Sequence, residues 1–395
     1  MESPADSPDM FSNSKNIARI PAVAHLRAFA ALLVMFYHGR GTIVGYTNEA
    51  GASNPIWNLI QEGYTGVSLF LVLSGFIFEF GARDRSVRYW PFLRNRILRT
   101  YPLFLFLMVV TSYGAPQRFS FSSFLQSVFL LGNLPGSNFS GDLFLNNAWT
   151  LTVEFQFYLL FPFLHGMYCR HGFKWIVASL GLFVVVRTFV VLAGENDVTS
   201  VCYWTILGRL DQFLIGMVLA RVHRATKPGG ERVLAWGFPL AVGLVLAGAE
   251  LLHRAGGFAS VANWKLVWMD LEALVWGLFI LSYMRVAWLW PRAISRALEL
   301  VGELSYSMYL LHYVVAAVFN TNGFFPHLSD NPNWSAFLAS TLVLLPVTLV
   351  FSGLTYALIE RPFLALRGHY LGELLLRPAV DSEPRLPDRG TSEPV

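Results

Sequence analysis

Residues 21–39 read PAVAHLRAFAALLVMFYHG, an apolar run of the length a helix needs to cross a bilayer, about 20 residues. Comparable runs recur near residues 60–81, 97–113, 149–168, 175–193, 203–220, 234–253, 266–284, 304–321 and 335–358. The chain therefore reads as all-α: a polytopic membrane helical bundle of about ten transmembrane helices. One further run, 120–134, is short and holds Ser122, Ser123, Gln126 and Ser127.

Composition agrees. Of 395 residues 54% are apolar and 14% charged, with a mean hydropathy of +0.48, whereas a soluble domain carries about 25% charge. Lipid must cover much of the exterior, and residues 19–370 form one membrane domain. The net charge of +4 and pI near 9.1 do not call for nucleic acid, because cytoplasmic loops of membrane proteins collect Lys and Arg. Cys169 and Cys202 stand alone, so neither a disulfide framework nor a metal site is expected. Residues 1–18 lack a basic n-region and a cleavage site, which makes the first apolar run a retained span. Residues 1–18 and the Pro-rich stretch 371–395 read as disordered cytoplasmic tails.

Charge placement sets the topology. With ten spans, a cytoplasmic N-terminus and 120–134 not crossing, the outside loops hold only Arg40, Arg118, Arg254 and Lys265, and the inside segments hold almost all other Lys and Arg. Letting 120–134 cross would destroy that asymmetry. It is expected to be a re-entrant or interfacial helix.

Ionisable groups inside a membrane are costly and mark candidate sites. Arg27 and His38 are eleven residues apart, and eleven steps of about 100° return to within about 20° of the starting direction. They share one face, about 16 Å apart along the axis. Arginine suits phosphate and histidine suits a general base; the same pair also fits snorkelling and interfacial capping. Arg94, Arg96 and Arg99 close a basic stretch that fits a phosphate clamp, anionic lipid or topology alone. Glu154 lies one turn into the apolar run WTLTVEFQFYLLFP and needs a partner there, Arg209 being one option. Arg209 and Asp211 face different directions and are expected to pair with other helices. Glu360 is expected in an ion pair at the cytoplasmic edge, with Arg361 the nearest cation. His312, in ELSYSMYLLHYVV, reads as a packing residue. Glu62, Glu79, Arg187, Glu250, Asp270 and Glu272 read as structural or interfacial. Outer-loop aromatics (Tyr46, Trp57, Phe139, Phe144, Trp149, Trp264, Trp334) can stack on sugar rings, although an interfacial belt is the commoner role. Ser74-Gly75 does not sit in the G-x-S-x-G elbow of a serine hydrolase, and no phosphate-binding loop, dinucleotide fingerprint or HExxH motif occurs.

A series of blocks in order, HLRAFAALLVMFYH, GVSLFLVLSGFIF, RNRILRTYPLF, WTLTVEFQFYLLFP, GRLDQFLIGMVLA, GELSYSMYLLH and LIERPF, resembles the acyltransferase-3 family of membrane acyltransferases, which includes bacterial sugar O-acetylases. The blocks span about residues 21–366. His25 stands where the family usually has a small or acidic residue. The resemblance implies a ten-helix domain that takes an acyl group from acyl-CoA, acetyl-CoA above all, as donor substrate, with no resident cofactor or metal. The acyl group passes to a hydroxyl of a carbohydrate or lipid-linked glycan: an exopolysaccharide, O-antigen or lipo-oligosaccharide, with a macrolide-type small molecule also open. It implies a bacterial plasma (inner) membrane, and membrane lipids but no nucleic acid as partners. By the same resemblance His38, Arg27 and Glu154 are catalytic, and Arg27, Arg94, Arg96 and Arg99 bind CoA. Two other readings fit the residues: a transporter or flippase of a lipid-linked glycan, and the unrelated membrane-bound O-acyltransferase class, with His312 as catalyst.

Overall fold

The computed structural model describes residues 16, 19–46, 54–114, 116–133, 147–194 and 197–375. The chain is helical almost throughout. In order the helices are α1 (Pro21–Val44), α2 (Pro55–Gln61), α3 (Gly66–Ala82), α4 (Tyr89–Gly114), α5 (Phe121–Val128), α6 (Trp149–His171), α7 (Phe173–Ala193), α8 (Val198–Trp204) and α9 (Ile206–Ala225). There follow α10 (Pro228–Trp236), α11 (Phe238–Arg254), α12 (Lys265–Val286), α13 (Arg292–Glu303), α14 (Ser305–Thr321) and α15 (Pro332–Ala365). Helix α15 is continuous through two wider π-helical turns, Ser340–Leu344 and Tyr356–Glu360.

Every apolar run read as a span is helical. Among the described residues six helices are long and apolar enough to cross a membrane, seven if α10 and α11, bent by 40° at Gly237, count as one. The other three runs fold as α6, α9 and α14, which carry more polar residues or are shorter. One boundary differs from expectation, and the run set aside as non-crossing is short. The run 203–220 breaks at Thr205, whose hydroxyl accepts from the Gly208 N–H to cap α9. The run 120–134 yields only α5, whose eight residues extend about 12 Å, too short to cross a hydrocarbon layer of about 30 Å.

The fold also departs from a purely helical bundle. Strand β1 (Arg85–Val87) pairs antiparallel with β2 (Leu371–Leu374), and the Arg88 N–H donates to the Tyr370 carbonyl at 2.9 Å. Of the two expected tails, only Asn16 and residues 371–375 lie among the described residues. Asn16 donates to the Gly368 carbonyl and accepts from the Tyr370 N–H, both at 2.9 Å. Residues 371–374, read from the sequence as tail, form β2. Four residues of strand inside a polar context are too few to show a two-residue periodicity.

Helices α3 and α9 pack backbone to backbone. A Cβ on Gly75 would lie 2.1 Å from the Phe213 carbonyl oxygen, and one on Gly216 would lie 2.1 Å from that of Val72. Small residues at such crossings let membrane helices gain close van der Waals contact. Gly75→Val is accordingly expected to destabilise the protein by about 1–3 kcal/mol or more. Gly181→Val, where nothing lies within 4 Å, should leave thermal unfolding in detergent nearly unchanged.

Buried charges tie the helices together. Arg187 of α7 is fully buried and pairs with Asp211 of α9 and Asp270 of α12. Arg209 makes no salt bridge to Glu154. It donates to the Tyr203 carbonyl and the Ser68 hydroxyl, each at 3.0 Å, with its guanidinium 4.3 Å from the Tyr203 ring centroid. Glu79 accepts from His165 Nδ1 at 2.6 Å and Arg221 Nε at 2.7 Å. Glu250 meets the exposed Arg254 at 2.5 Å within α11, whereas inside the bundle Glu62 meets His253 at 3.0 Å and Glu272 accepts from Ser68 at 2.9 Å. These acids satisfy the demand for partners in a dry interior.

Candidate active site

The helices enclose a cavity of about 280 Å³, walled by α1, α3, α4, α6, α14 and the end of α15. Cations outnumber acids among its charged lining: Arg19, Arg27, Arg96, Arg99 and Arg367 face two carboxylates, Glu154 and Glu303. Such an excess of guanidinium groups with low-dielectric walls concentrates anions.

Each group is held differently. Arg27 sits in the second turn of α1. Arg99 donates to Glu360 at 3.0 Å, and the buried Glu360 also accepts from the Ser307 hydroxyl. Glu360 is thus in an ion pair as expected, but with α4 rather than with adjacent Arg361. Arg96 lies over aromatic rings, 4.9 Å from the Phe78 centroid and 5.5 Å from that of Phe92, an arrangement that holds a guanidinium in an apolar wall. Arg19 pairs with Glu299 at 3.1 Å and Glu303 at 3.8 Å, which joins the chain entry of α1 to α13. Arg367 lies just beyond α15. Burial, reinforced by the charges of Arg99 and Arg96, pushes its guanidinium down to about 10, still cationic at neutral pH, and a bound anion would relieve that repulsion. Glu154 accepts from the Ser74 hydroxyl at 2.9 Å.

The structure therefore brings together Arg27, Arg96, Arg99 and Glu154. Arg94 stays outside the group: it is exposed because residues 94 and 96 are about 200° apart around a helix, whereas 96 and 99 differ by about 60°. His38 does not line the cavity either. It sits eleven residues further along α1, about 16 Å away along the axis, partly exposed beside a second group of rings. Its Nδ1 is 3.0 Å from the Tyr46 hydroxyl, and its ring centroid is 5.3 Å from His312, 5.4 Å from Tyr313 and 5.0 Å from Tyr37. Glu154, bonded to Ser74 in the cavity, is not the partner that orients His38. Of the outer-loop aromatics, Trp57 and Trp334 lie against each other at 5.7 Å, and Trp149 packs on Tyr203 at 4.7 Å. Phe139 and Phe144 lie outside the described residues.

Two residues of this constellation, Glu303 and Arg367, escape a reading of the sequence; Ser74 figures there only as failing the hydrolase elbow, and His312 as a packing residue or as the catalyst of the alternative acyltransferase class. Chemically, the arrangement offers an anion-binding chamber at one end of α1 and a hydrogen-bonded imidazole at the other. Phosphate-bearing substrates fit the first, and proton abstraction or nucleophilic relay fits the second.

Comparison with known proteins bears directly on that chemistry. The family model described as an acyltransferase domain matches residues 20–353. Acyltransferase MdmB of Streptomyces mycarofaciens is 24% identical over an alignment covering 94% of this chain and 98% of that protein. O-acetyltransferase OatA of Staphylococcus aureus is 25% identical over 76% of this chain but 51% of its own length, so the chain spans about half of that relative. No solved structure matches. A family match over residues 20–353, which takes in Arg27, Arg96, Arg99 and His38, places this chain in the acyltransferase-3 family of integral membrane acyltransferases.

Proposed function

We propose that the protein transfers an acyl group, acetyl above all, from acyl-CoA to a hydroxyl of a carbohydrate acceptor such as an exopolysaccharide, O-antigen or lipo-oligosaccharide. The observation that carries this reading is the separation of two chemistries along α1: an arginine chamber around Arg27 and a histidine at its far end. In this account the chain crosses a bacterial plasma membrane ten times with both termini in the cytoplasm. The shortness of α5 and the clustering of Lys and Arg on one side support that topology. The chamber then opens to the cytoplasm, where CoA thioesters are made. The name of the OatA relative, an O-acetyltransferase, favours acetyl transfer to oxygen.

The roles follow from position. Arg27, Arg96, Arg99 and Arg367 hold the phosphates of CoA, with exposed Arg94 meeting only what projects beyond the chamber. The pantetheine arm runs up α1 and brings the thioester toward His38. His38 takes the proton of the acceptor hydroxyl as its oxygen attacks the thioester carbon, or carries the acyl group itself; the C–S bond breaks and CoA leaves as the thiol. Glu154 positions Ser74 and balances Arg27 from across the chamber.

The test is incubation of membranes containing the protein with radiolabelled acetyl-CoA and the surface glycans of the producing cells. Label is expected in the glycan, and Arg27→Ala should raise the KM for acetyl-CoA by about 10–100-fold, the range for one charged hydrogen-bonding group. Absence of label with folded protein, or an unchanged KM, would contradict the assignment and favour a transporter.

A further inference from the structure

His312 is 1% exposed in the interior of α14. Its Nδ1 lies 2.9 Å from the Met308 carbonyl oxygen. A carbonyl only accepts, so Nδ1 carries the hydrogen, and in the neutral ring Nε2 is left with a lone pair. Among the described residues nothing donates to that Nε2, and it is buried. A buried acceptor without a donor costs about 1–3 kcal/mol, and a residue that only packs gains nothing from one.

Its surroundings are those of the candidate site. The ring lies between the two halves of the site: 5.8 Å from Tyr309, which lines the arginine chamber, and 5.3 Å from His38. His38 in turn reaches outward to Tyr46. The order from chamber to outer face is Tyr309, His312, His38, Tyr46. No hydrogen bond joins the two imidazoles among the described residues.

We propose that His312 is a second proton-handling residue of the acyl-transfer site, standing on the donor side as His38 stands on the acceptor side. The inference rests on the acyltransferase reading above. With Nδ1–H of His38 donating to the Tyr46 oxygen, Nε2 of His38 takes the proton of the acceptor hydroxyl. The acceptor oxygen bonds to the thioester carbon as the C–S bond breaks. The proton passes to Nε2 of His312 and from there to the departing CoA sulfur, which leaves as the thiol. One hydroxyl proton is removed and one thiol proton is made; both imidazoles end neutral, ready for the next turnover. The main-chain bond to Met308 holds the ring with Nε2 as the basic nitrogen throughout.

Glutamine in place of His312 keeps a side chain of similar reach that can hydrogen-bond but cannot shuttle a proton. The experiment compares wild type, His312→Gln, His312→Ala and His38→Ala in membranes, measuring label transfer from radiolabelled acetyl-CoA to surface glycans of the producing cells. His312→Gln is expected to lower kcat at least about 100-fold, the low end for a general acid–base residue, with the KM for acetyl-CoA within about three-fold. Added imidazole is expected to restore part of the activity of His312→Ala, which a packing role would not allow. Retention of kcat within a few-fold by folded His312→Gln, or failure of imidazole to rescue a His312→Ala protein that still binds acetyl-CoA, would overturn the proposal while leaving the acyltransferase reading standing. Absence of transfer by wild type would overturn that reading and this inference together.

Discussion

Replacing His38 with alanine is expected to reduce acyl transfer by about 10³-fold, equivalent to about 4 kcal/mol of transition-state stabilisation, while leaving acetyl-CoA binding nearly intact. The split is the informative part. His38 lies outside the arginine chamber, with Tyr46, Tyr37, Tyr313 and His312 as its ring neighbours, so under the proposed mechanism its removal takes away the base and leaves the chamber's arginines in place. Steady-state kinetics in membranes should show kcat collapse at a KM for acetyl-CoA within a few-fold of wild type. His38→Gln should be equally inactive, because a hydrogen bond to Tyr46 alone does not move a proton. A His38→Ala enzyme with more than about a tenth of wild-type kcat would mean that the base is another group.

The second large effect falls on stability. Arg187→Met removes the cation shared by Asp211 and Asp270 and leaves two carboxylates facing each other inside the bundle. Breaking a buried pair from one side costs about 3–5 kcal/mol, because the remaining charge keeps its desolvation penalty and loses its partner. The triad ties α7, α9 and α12, and α9 is the helix packed backbone to backbone on α3. The variant should therefore show a marked drop in thermal unfolding temperature in detergent and low recovery from membranes. Adding Asp211→Asn and Asp270→Asn should restore much of the loss by removing the unpaired charges. A single variant as stable as wild type would show that the triad is solvated rather than buried.

The two effects sort the ionisable residues by what the sequence revealed of them. The runs that make α1, α3, α4, α7, α12 and α15 were legible because a membrane forces long apolar stretches to be helices. Arg27 and His38 were legible as a pair because both lie on one helix, where spacing alone fixes the shared face. Arg94, Arg96 and Arg99 were legible as one basic group, but a run of arginines does not announce which of them turn outward, and only Arg96 and Arg99 line the cavity. The ribbon of β1 and β2 was invisible, since its strands come from positions almost 290 residues apart, Arg85 and Leu374, and neither is long enough to show a period.

The partners of the site residues were less legible still. Glu154 demanded a partner, and Ser74 answers it from another helix; nothing in either segment names the other. His312 looked like a packing histidine because its own helix is apolar, and like a catalyst only under the alternative acyltransferase class. Its significance comes from lying against His38, a contact created by packing α14 on α1 across some 270 residues of chain. Arg367 required knowing that the chain after α15 turns back toward α4, where Asn95 exchanges hydrogen bonds with Gly368 at 2.7 and 3.0 Å.

If donor and acceptor meet from opposite ends of α1, transfer must be sided. Sealed membrane vesicles of both orientations, each carrying the acceptor glycan on the normally outer face, would receive radiolabelled acetyl-CoA in the external medium only. The account predicts that inverted vesicles, with the cytoplasmic face outward, label glycan trapped inside, whereas right-side-out vesicles label glycan only after permeabilisation. Labelling by intact right-side-out vesicles at the same rate as inverted ones would contradict it, because donor and acceptor would then enter from one side and the arginine chamber would not be the donor site.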